Sequence, residues 1–280
     1  MTKQEVPIIT SVQNPRVKGW TQLLDKKGRE KQGQFIIEGV HLVQEALASG
    51  AAIDTLVYAG ERLRELPAGM LERAAAVGIE CLAVTEPVLS KCTDTLTPQA
   101  VFAVLRKLHW EPADLLESGV TPGLVVVIDG MQDPGNLGTI IRSADAVGAT
   151  GILLGKGTVD LYNPKTVRST MGSMFHLPIA QGDLQLVLPE AAAHGVAVIT
   201  TSLQGVSDCY EFDFRQPVWF VIGNEGQGVS PEVTALTTEQ IRIPMQGRAE
   251  SLNAAMAATV VLFEAMRQRM FHQTIICVTM

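Results

Sequence analysis

No stretch of this 280-residue chain approaches the ~20 consecutive apolar residues that a bilayer-spanning helix needs. The longest apolar run, 254–263, is bounded by Asn253 and Glu264 and reads as a core helix. The opening residues, Met1-Thr2-Lys3-Gln4-Glu5, lack the apolar stretch of a secretory signal, so the expectation is a cytoplasmic protein without membrane contact. Cysteine is scarce. Cys81, Cys92, Cys209 and Cys277 form no Cys-x-x-Cys pair, no histidine stands at ligand spacing from them, and the histidines make no His-Glu-x-x-His pattern. Small buried or neutral thiols account for them, and no metal is expected. Two nucleotide fingerprints are missing as well. There is no G-x-G-x-x-G, which argues against a nicotinamide-dependent oxidoreductase, and Gly151 to Gly157 misses the spacing of a phosphate loop.

Positive charge is also in deficit, with a net charge of −7. That balance argues against nonspecific nucleic-acid binding by the molecule as a whole. The charge is unevenly placed, however. Residues 1–34 hold seven basic side chains (Lys3, Arg16, Lys18, Lys26, Lys27, Arg29, Lys31) against three acids, leaving 15 basic and 26 acidic residues elsewhere. Such an asymmetry marks either a polyanion contact at the amino end or a solvated basic helix face, and charge alone leaves both open.

What is present is ordinary globular material, 46% hydrophobic and 18% charged, long enough for one large or two modest domains. An acidic segment carrying two prolines and a glycine, 108–122, reads as a linker between a region 1–107 and a region 123–280. In the first, strand patterns at 34–38, 53–58, 79–84 and 101–105 alternate with helical spacing at 40–48, 61–64 and 69–76, predicting a small α/β sandwich. The second predicts strands at 124–128, 151–154, 175–179, 196–200, 218–222 and 241–243. Helices are predicted between them at 137–147, 163–171, 184–194 and 231–237, with a long one at 251–269. Alternation of this kind implies a parallel sheet covered on both faces, with ligands bound beyond the carboxyl ends of its strands.

Three of those strand-end loops are unusual. The first, 129–138, holds three glycines and a proline and feeds a helix that Asn136 is placed to cap. On that helix Ile140, Ala144 and Val147 share a face from which Arg142 points away, as a surface arginine or an anion-binding one. The second loop, Gly223-Asn224-Glu225-Gly226-Gln227-Gly228, sets an acid among glycines, where a plain turn residue is the simpler reading of Glu225. The third runs from Ile243-Pro244-Met245 to Ser251-Leu252-Asn253. Ser251 fits as a helix cap, and Asn253 opens a helix of otherwise small and apolar residues.

Taken in order, these three segments resemble the motifs of the SpoU family of RNA methyltransferases, in the knotted SPOUT class. The likeness extends through Asn163-Pro164-Lys165-Thr166-Val167-Arg168-Ser169-Thr170-Met171-Gly172-Ser173 and spans essentially 123–270. The first region is similar, more loosely, to the family's amino-terminal substrate-binding domain, itself like ribosomal proteins that bind kinked RNA. The match lies in Ser11-Val12-Gln13-Asn14-Pro15-Arg16-Val17-Lys18, Arg29-Glu30-Lys31, Phe35-Ile36-Ile37-Glu38-Gly39 and Thr97-Pro98-Gln99.

The resemblance implies a trefoil-knotted parallel-sheet domain preceded by a small RNA-binding domain, acting as a homodimer. The implied reaction is methylation by S-adenosylmethionine of a ribose 2′-hydroxyl in structured RNA, most readily ribosomal RNA. A non-catalytic RNA-binding or ribosome-assembly factor of the same fold is the alternative. Family likeness gives Arg142 the central role. Because a guanidinium cannot act as a base near neutrality, that role reads as phosphate binding and stabilisation of the developing alkoxide. Asn136, Glu225, Ser251 and Asn253 are then expected to orient Arg142, the ribose or the cofactor. Thr201, Leu203, Gly223, Ile243 and Leu252 are expected around the cofactor, and Arg16, Lys18, Lys27, Arg29 and Lys31 against RNA phosphates.

Overall fold

Runs such as Leu124-Val125-Val126-Val127-Ile128 and Val218-Trp219-Phe220-Val221-Ile222 offer water no polar face, and they lie side by side as paired, fully buried parallel strands. The computed structural model describes residues 8–116, 119, 122–202, 204–248 and 250–276, with 271–276 described by backbone alone. It divides into two compact units, Met1–Leu108 with Asp160–Phe175, and His109–Val159 with His176–Met280.

The first unit opens with β1 (Ile8–Ile9), α1 (Pro15–Gln22), α2 (Lys26–Gln32), β2 (Gln34–Glu38) and α3 (Val40–Ser49). It continues with β3 (Ile53–Ala59), α4 (Met70–Ala76), β4 (Glu80–Val84), α5 (Glu86–Lys91) and β5 (Val101–Arg106). The sheet order is β1-β4-β3-β5-β2, with β5 antiparallel to both its neighbours. Asn14 starts α1 by accepting the Arg16 N–H at 2.9 Å, with Pro15 following it in the first turn. The helix then lays Val17 and Trp20 onto the sheet, where the Trp20 ring meets Phe102 edge to face at 5.7 Å.

Further along lie α6 (Pro112–Leu116), β6 (Leu124–Ile128), α7 (Pro134–Ala146), β7 (Gly151–Gly155), α8 (Pro164–Thr170), β8 (Ile179–Gly182) and α9 (Leu184–Ala193). The chain closes with β9 (Ala197–Thr201), β10 (Ser207–Asp208), β11 (Val218–Ile222), α10 (Pro231–Thr234), β12 (Glu239–Arg242) and α11 (Ala254–Ile276). All except α8 belong to the second unit. Its seven strands are parallel throughout, in the order β10-β12-β9-β11-β6-β7-β8. On one face Val125, Val127, Leu153, Trp219 and Val221 pack with Leu115 of α6 and with Leu184, Leu188 and Ala191 of α9. Alternate strand residues point to the other face. Among the elements of this unit α7 packs on α11, and Ser143 and Thr259 share a 2.8 Å hydroxyl bond between those two helices.

Several expectations are revised. The segment 108–122, expected as a linker, contains α6, whose Leu115 is buried in the second unit's core. The segment 160–175, expected within the second region, packs with the first unit. There the Tyr162 ring lies 4.6 Å from that of Phe35, and its hydroxyl donates to the Leu108 carbonyl. Phe175 ends a short 3-10 turn, Ser173–Phe175, and the strand expected at 175–179 begins only at Ile179. The cap of α7 is Asp133, which accepts the Asn136 N–H at 2.8 Å and precedes Pro134, rather than Asn136 itself. Likewise Asn253, not Ser251, caps α11. Its Oδ1 accepts the N–H groups of Ala255 and Met256.

Candidate active site

Because β11 is inserted between β6 and β9, the loops leaving the carboxyl ends of β6 and β11 are neighbours. Asp129 and Asn224 fasten them together. The Asp129 carboxylate accepts the Ser230 N–H at 2.7 Å, and the Asn224 amide donates to the Gly130 carbonyl at 3.0 Å. Asn224 Oδ1 also accepts the N–H groups of Gly226 and Gln227, while its backbone exchanges a pair of bonds with Gly228. This reversal is why glycine stands at both ends. A Cβ on Gly223 would sit 2.1 Å from the Gly228 carbonyl carbon, and Gly228 itself has φ +72°.

The reversal delivers Glu225 to the start of α7. Its carboxylate accepts the backbone N–H groups of Gln132 (3.0 Å) and Asp133 (2.9 Å) and the Asn136 side-chain amide (3.1 Å). Burial raises the Glu225 pKa, but these hydrogen bonds outweigh it, and the carboxyl titrates below its ordinary value. With Asp133 as cap, the Asn136 side chain is released from capping. It donates to Glu225 and accepts from the Asn253 amide at 3.1 Å. Glu225, Asn136 and Asn253 thus form one chain of hydrogen bonds that joins the β11 loop, α7 and the first turn of α11.

Residues 251 and 252, just before Asn253, border an open cleft of about 170 Å³. Thr201 and Ser202 at the end of β9, with Ile243 and Met245 after β12, form its other walls, and among the described residues no charged side chain lines it. Of the residues expected around a cofactor, Thr201, Ile243 and Leu252 line this cleft. Gly223 belongs to the adjoining loop, and Leu203 lies outside the described residues. Ser251, expected beside the reacting groups, lines the same cleft and makes no cap. Arg142 lies six residues beyond Asn136 on α7. It is exposed and has no hydrogen-bond or ion-pair partner among the described residues. The side chains that organise the loops are taken up in hydrogen bonds with one another and with the backbone; this guanidinium is left facing solvent. Asp129, Asn224 and Ser202 were missed in the sequence, although Asp129-Gly130 directly after a buried strand is itself a turn signal.

In the first unit Lys18, Lys27 and Lys31 are exposed. Arg16 is exposed too and pairs with Glu80 at 2.8 Å. Arg29, expected against RNA phosphates, is instead buried. Only 3% of it is exposed. Nε and Nη2 bond the Asp160 carboxylate, and Nη1 donates to the carbonyls of Leu23 and Leu24 at 2.8 Å each. A guanidinium so enclosed ties α2 to the 160–175 segment and is too deeply buried to meet a phosphate.

Known proteins resemble this chain over both of its units. Residues 123–263 match the model of the SpoU rRNA Methylase family, and residues 14–103 match an MRM3-like substrate binding domain. The chain is 38% identical to the 23S rRNA (guanosine(2553)-2'-O)-methyltransferase RlmP of Bacillus subtilis, over 91% of this chain and 97% of that one. It is 37% identical to the 23S rRNA (uridine(2479)-2'-O)-methyltransferase of Streptomyces viridochromogenes, covering 95% and 94% respectively. Among solved structures, the AdoMet-bound rRNA methyltransferase from Sinorhizobium meliloti superposes with a TM-score of 0.82 at 38% identity, over 94% of this chain and 98% of that one.

Proposed function

The chain belongs to the SpoU rRNA methylase family, and from that premise we propose that it transfers the methyl group of S-adenosylmethionine to a ribose 2′-hydroxyl of ribosomal RNA. The observation that carries the reading is the hydrogen-bonded chain Glu225–Asn136–Asn253. It draws three separate loops together beside a cleft bordered by Thr201, Ile243 and Leu252. A scaffold that only held RNA would have no use for an uncharged cleft coupled to a solvent-facing arginine.

The cleft suits the cofactor's chemistry. Ile243, Met245 and Leu252 offer apolar contact to a flat purine, the hydroxyls of Thr201, Ser202 and Ser251 suit its ribose, and the lack of a lining cation avoids repulsion of a sulfonium. When bound, S-adenosylmethionine supplies an electrophilic methyl group. The chain's own task is to make a weak nucleophile attack. Arg142 binds the phosphate next to the target ribose and stabilises negative charge on the 2′-oxygen as its proton leaves to solvent. The Glu225 carboxylate, occupied by three donors, is a positioning group and no proton acceptor. Asn136 and Asn253 fix the amino ends of α7 and α11, so that Arg142 and the cleft keep one geometry. Lys18, Lys27, Lys31 and Arg16 hold the RNA by its phosphates.

Three finer parts complete the proposal. The family's trefoil knot is supported by the late insertion of β11 between strands made earlier in the chain. A homodimer is supported by Met256, Phe263 and Met270, exposed at seven-residue spacing along α11. The cytoplasm is the expected location. The test is to incubate the purified chain with labelled S-adenosylmethionine and an unmodified 23S rRNA transcript, then digest to nucleosides. A 2′-O-methyl nucleoside is the expected product; a base-methylated one, or none, refutes the reading.

A further inference from the structure

Gln132 is exposed, yet its side-chain amide spends its N–H groups on two backbone carbonyls, Gly130 at 2.9 Å and Gly157 at 2.6 Å. An amide open to water gains little stability from such bonds. What they accomplish is to fasten the loop after β7 to the loop after β6. Two further bonds reinforce the join. Val159 donates its N–H to the Met131 carbonyl at 2.8 Å, and the Thr158 hydroxyl donates to the Ile128 carbonyl at 3.4 Å. The backbone N–H of Gln132 is also one of the donors that hold Glu225. One residue therefore joins three strand-end loops of the second unit, those after β6, β7 and β11.

Directly after Val159 the chain passes into the first unit at Asp160. There the carboxylate is gripped by Arg29, at 3.0 Å from Nε and 2.7 Å from Nη2. Helix α2 buries Arg29 and leaves Lys27 and Lys31 exposed. The helix that offers cations to RNA thus holds the chain one planar peptide away from a residue bonded to the β6 loop, and a single peptide leaves little slack.

We infer that Gln132 is a positioning residue for methyl transfer, through which RNA held on α2 steadies the loops around the reaction by way of Asp160 and the β7 loop. This rests on the proposed action on RNA. Glu225 passes the constraint to Asn136, and Asn136 passes it to Asn253, whose neighbours Ser251 and Leu252 line the cofactor cleft. RNA and cofactor then bind with positive coupling, because whichever arrives first has already ordered loops that the other needs.

The test uses the full chain with an unmodified 23S rRNA transcript. It measures methyl-transfer kinetics, and the affinity for S-adenosylhomocysteine, which has no methyl group to give, with and without the transcript. Wild type should bind S-adenosylhomocysteine at least about fivefold more tightly when the transcript is present. Gln132→Met keeps the backbone N–H for Glu225 and removes only the two amide bonds. It should melt within about 2 °C of wild type, with kcat roughly tenfold lower and KM for RNA within about twofold. The effect of the transcript on S-adenosylhomocysteine should shrink below about twofold. Asp160→Asn, which weakens the grip at the other end, should reduce the same effect, and the double variant should go no further than the worse of the two, because both break one line. Coupling that persists in Gln132→Met, a kcat within about twofold of wild type, or a loss that falls on KM for RNA overturns the inference. So does a wild type that shows no coupling. If Asp160→Asn does not fold, Gln132→Met at its exposed site decides the matter. A wild-type chain that methylates no RNA refutes the parent proposal instead.

Discussion

Replacing Arg29 with methionine separates a structural role from an RNA-binding one. The guanidinium is enclosed, 3% exposed, against an Asp160 side chain that is 12% exposed, and it also satisfies the carbonyls of Leu23 and Leu24. Methionine keeps much of the stem's packing, so what is lost is the charge and its hydrogen bonds. The Asp160 carboxylate would then be buried without its cation, a change that costs on the order of 3–5 kcal/mol. That is a large part of the ~5–15 kcal/mol that holds a typical domain folded. For a unit of this size the melting midpoint should fall by roughly 10–20 °C. Urea and thermal unfolding, followed by the fluorescence of Trp20 in the first unit's core with Trp110 and Trp219 replaced by Phe in both chains compared, give the measurement. The double variant Arg29→Met/Asp160→Asn should recover part of the loss, since it removes the stranded charge. If Arg29→Met instead melts with wild type, within about 0.5 kcal/mol, and weakens RNA binding with a flatter salt dependence, Arg29 is a phosphate contact after all.

Other consequences follow from the same geometry. The triple variant Lys18→Ala/Lys27→Ala/Lys31→Ala should flatten the log–log salt dependence of RNA affinity by about two units and leave cofactor affinity unchanged; an unchanged slope would mean RNA is gripped elsewhere. The Glu225 carboxyl is held below its ordinary pKa, so its tethering of the β11 loop is fully present above the ordinary carboxylate range and is lost as pH falls through the lower folded value. Hydrogen exchange of residues 223–230 should therefore speed up on acidification below that range in wild type, and be fast and pH-insensitive in this respect in Glu225→Gln. A synthetic peptide of residues 160–175 should bind a fragment of residues 1–108 and raise its melting temperature, an effect that Asp160→Ala in the peptide removes. Failure to bind would show that the segment adds nothing to the first unit.

The parallel sheet was legible because its strands are short unbroken apolar runs, and a strand buried on both faces tolerates little else. Helix faces were legible for the same reason, which is how Arg142 was placed on the exposed side of α7. Caps were harder. Asp133-Pro134 carries a stronger start signal than Asn136 three residues later, yet the glycines around them made either register acceptable. The partners of Asn136 lie 89 and 117 residues away, so no local pattern announces that its side chain links two loops. Arg29 failed differently. A count of basic residues treats each as solvated, and its acid partner stands 131 positions along the chain. The same separation hid the membership of 160–175 in the first unit, because residues that read as continuous in sequence fold against a sheet formed much earlier. Leu115 was lost to composition, since two prolines and several acids outweighed the one side chain that enters the core.

Arg142→Ala, assayed in parallel for S-adenosylmethionine binding and for transfer of its methyl group to unmodified 23S rRNA, bears most directly on the catalytic account. If the guanidinium stabilises charge on the 2′-oxygen, turnover should fall by about 100-fold or more. Cofactor affinity should stay within about twofold, because Arg142 does not line the cleft of Thr201, Ile243 and Leu252. Turnover near that of wild type, or a loss of cofactor affinity as large as the loss of activity, would contradict the role assigned to it.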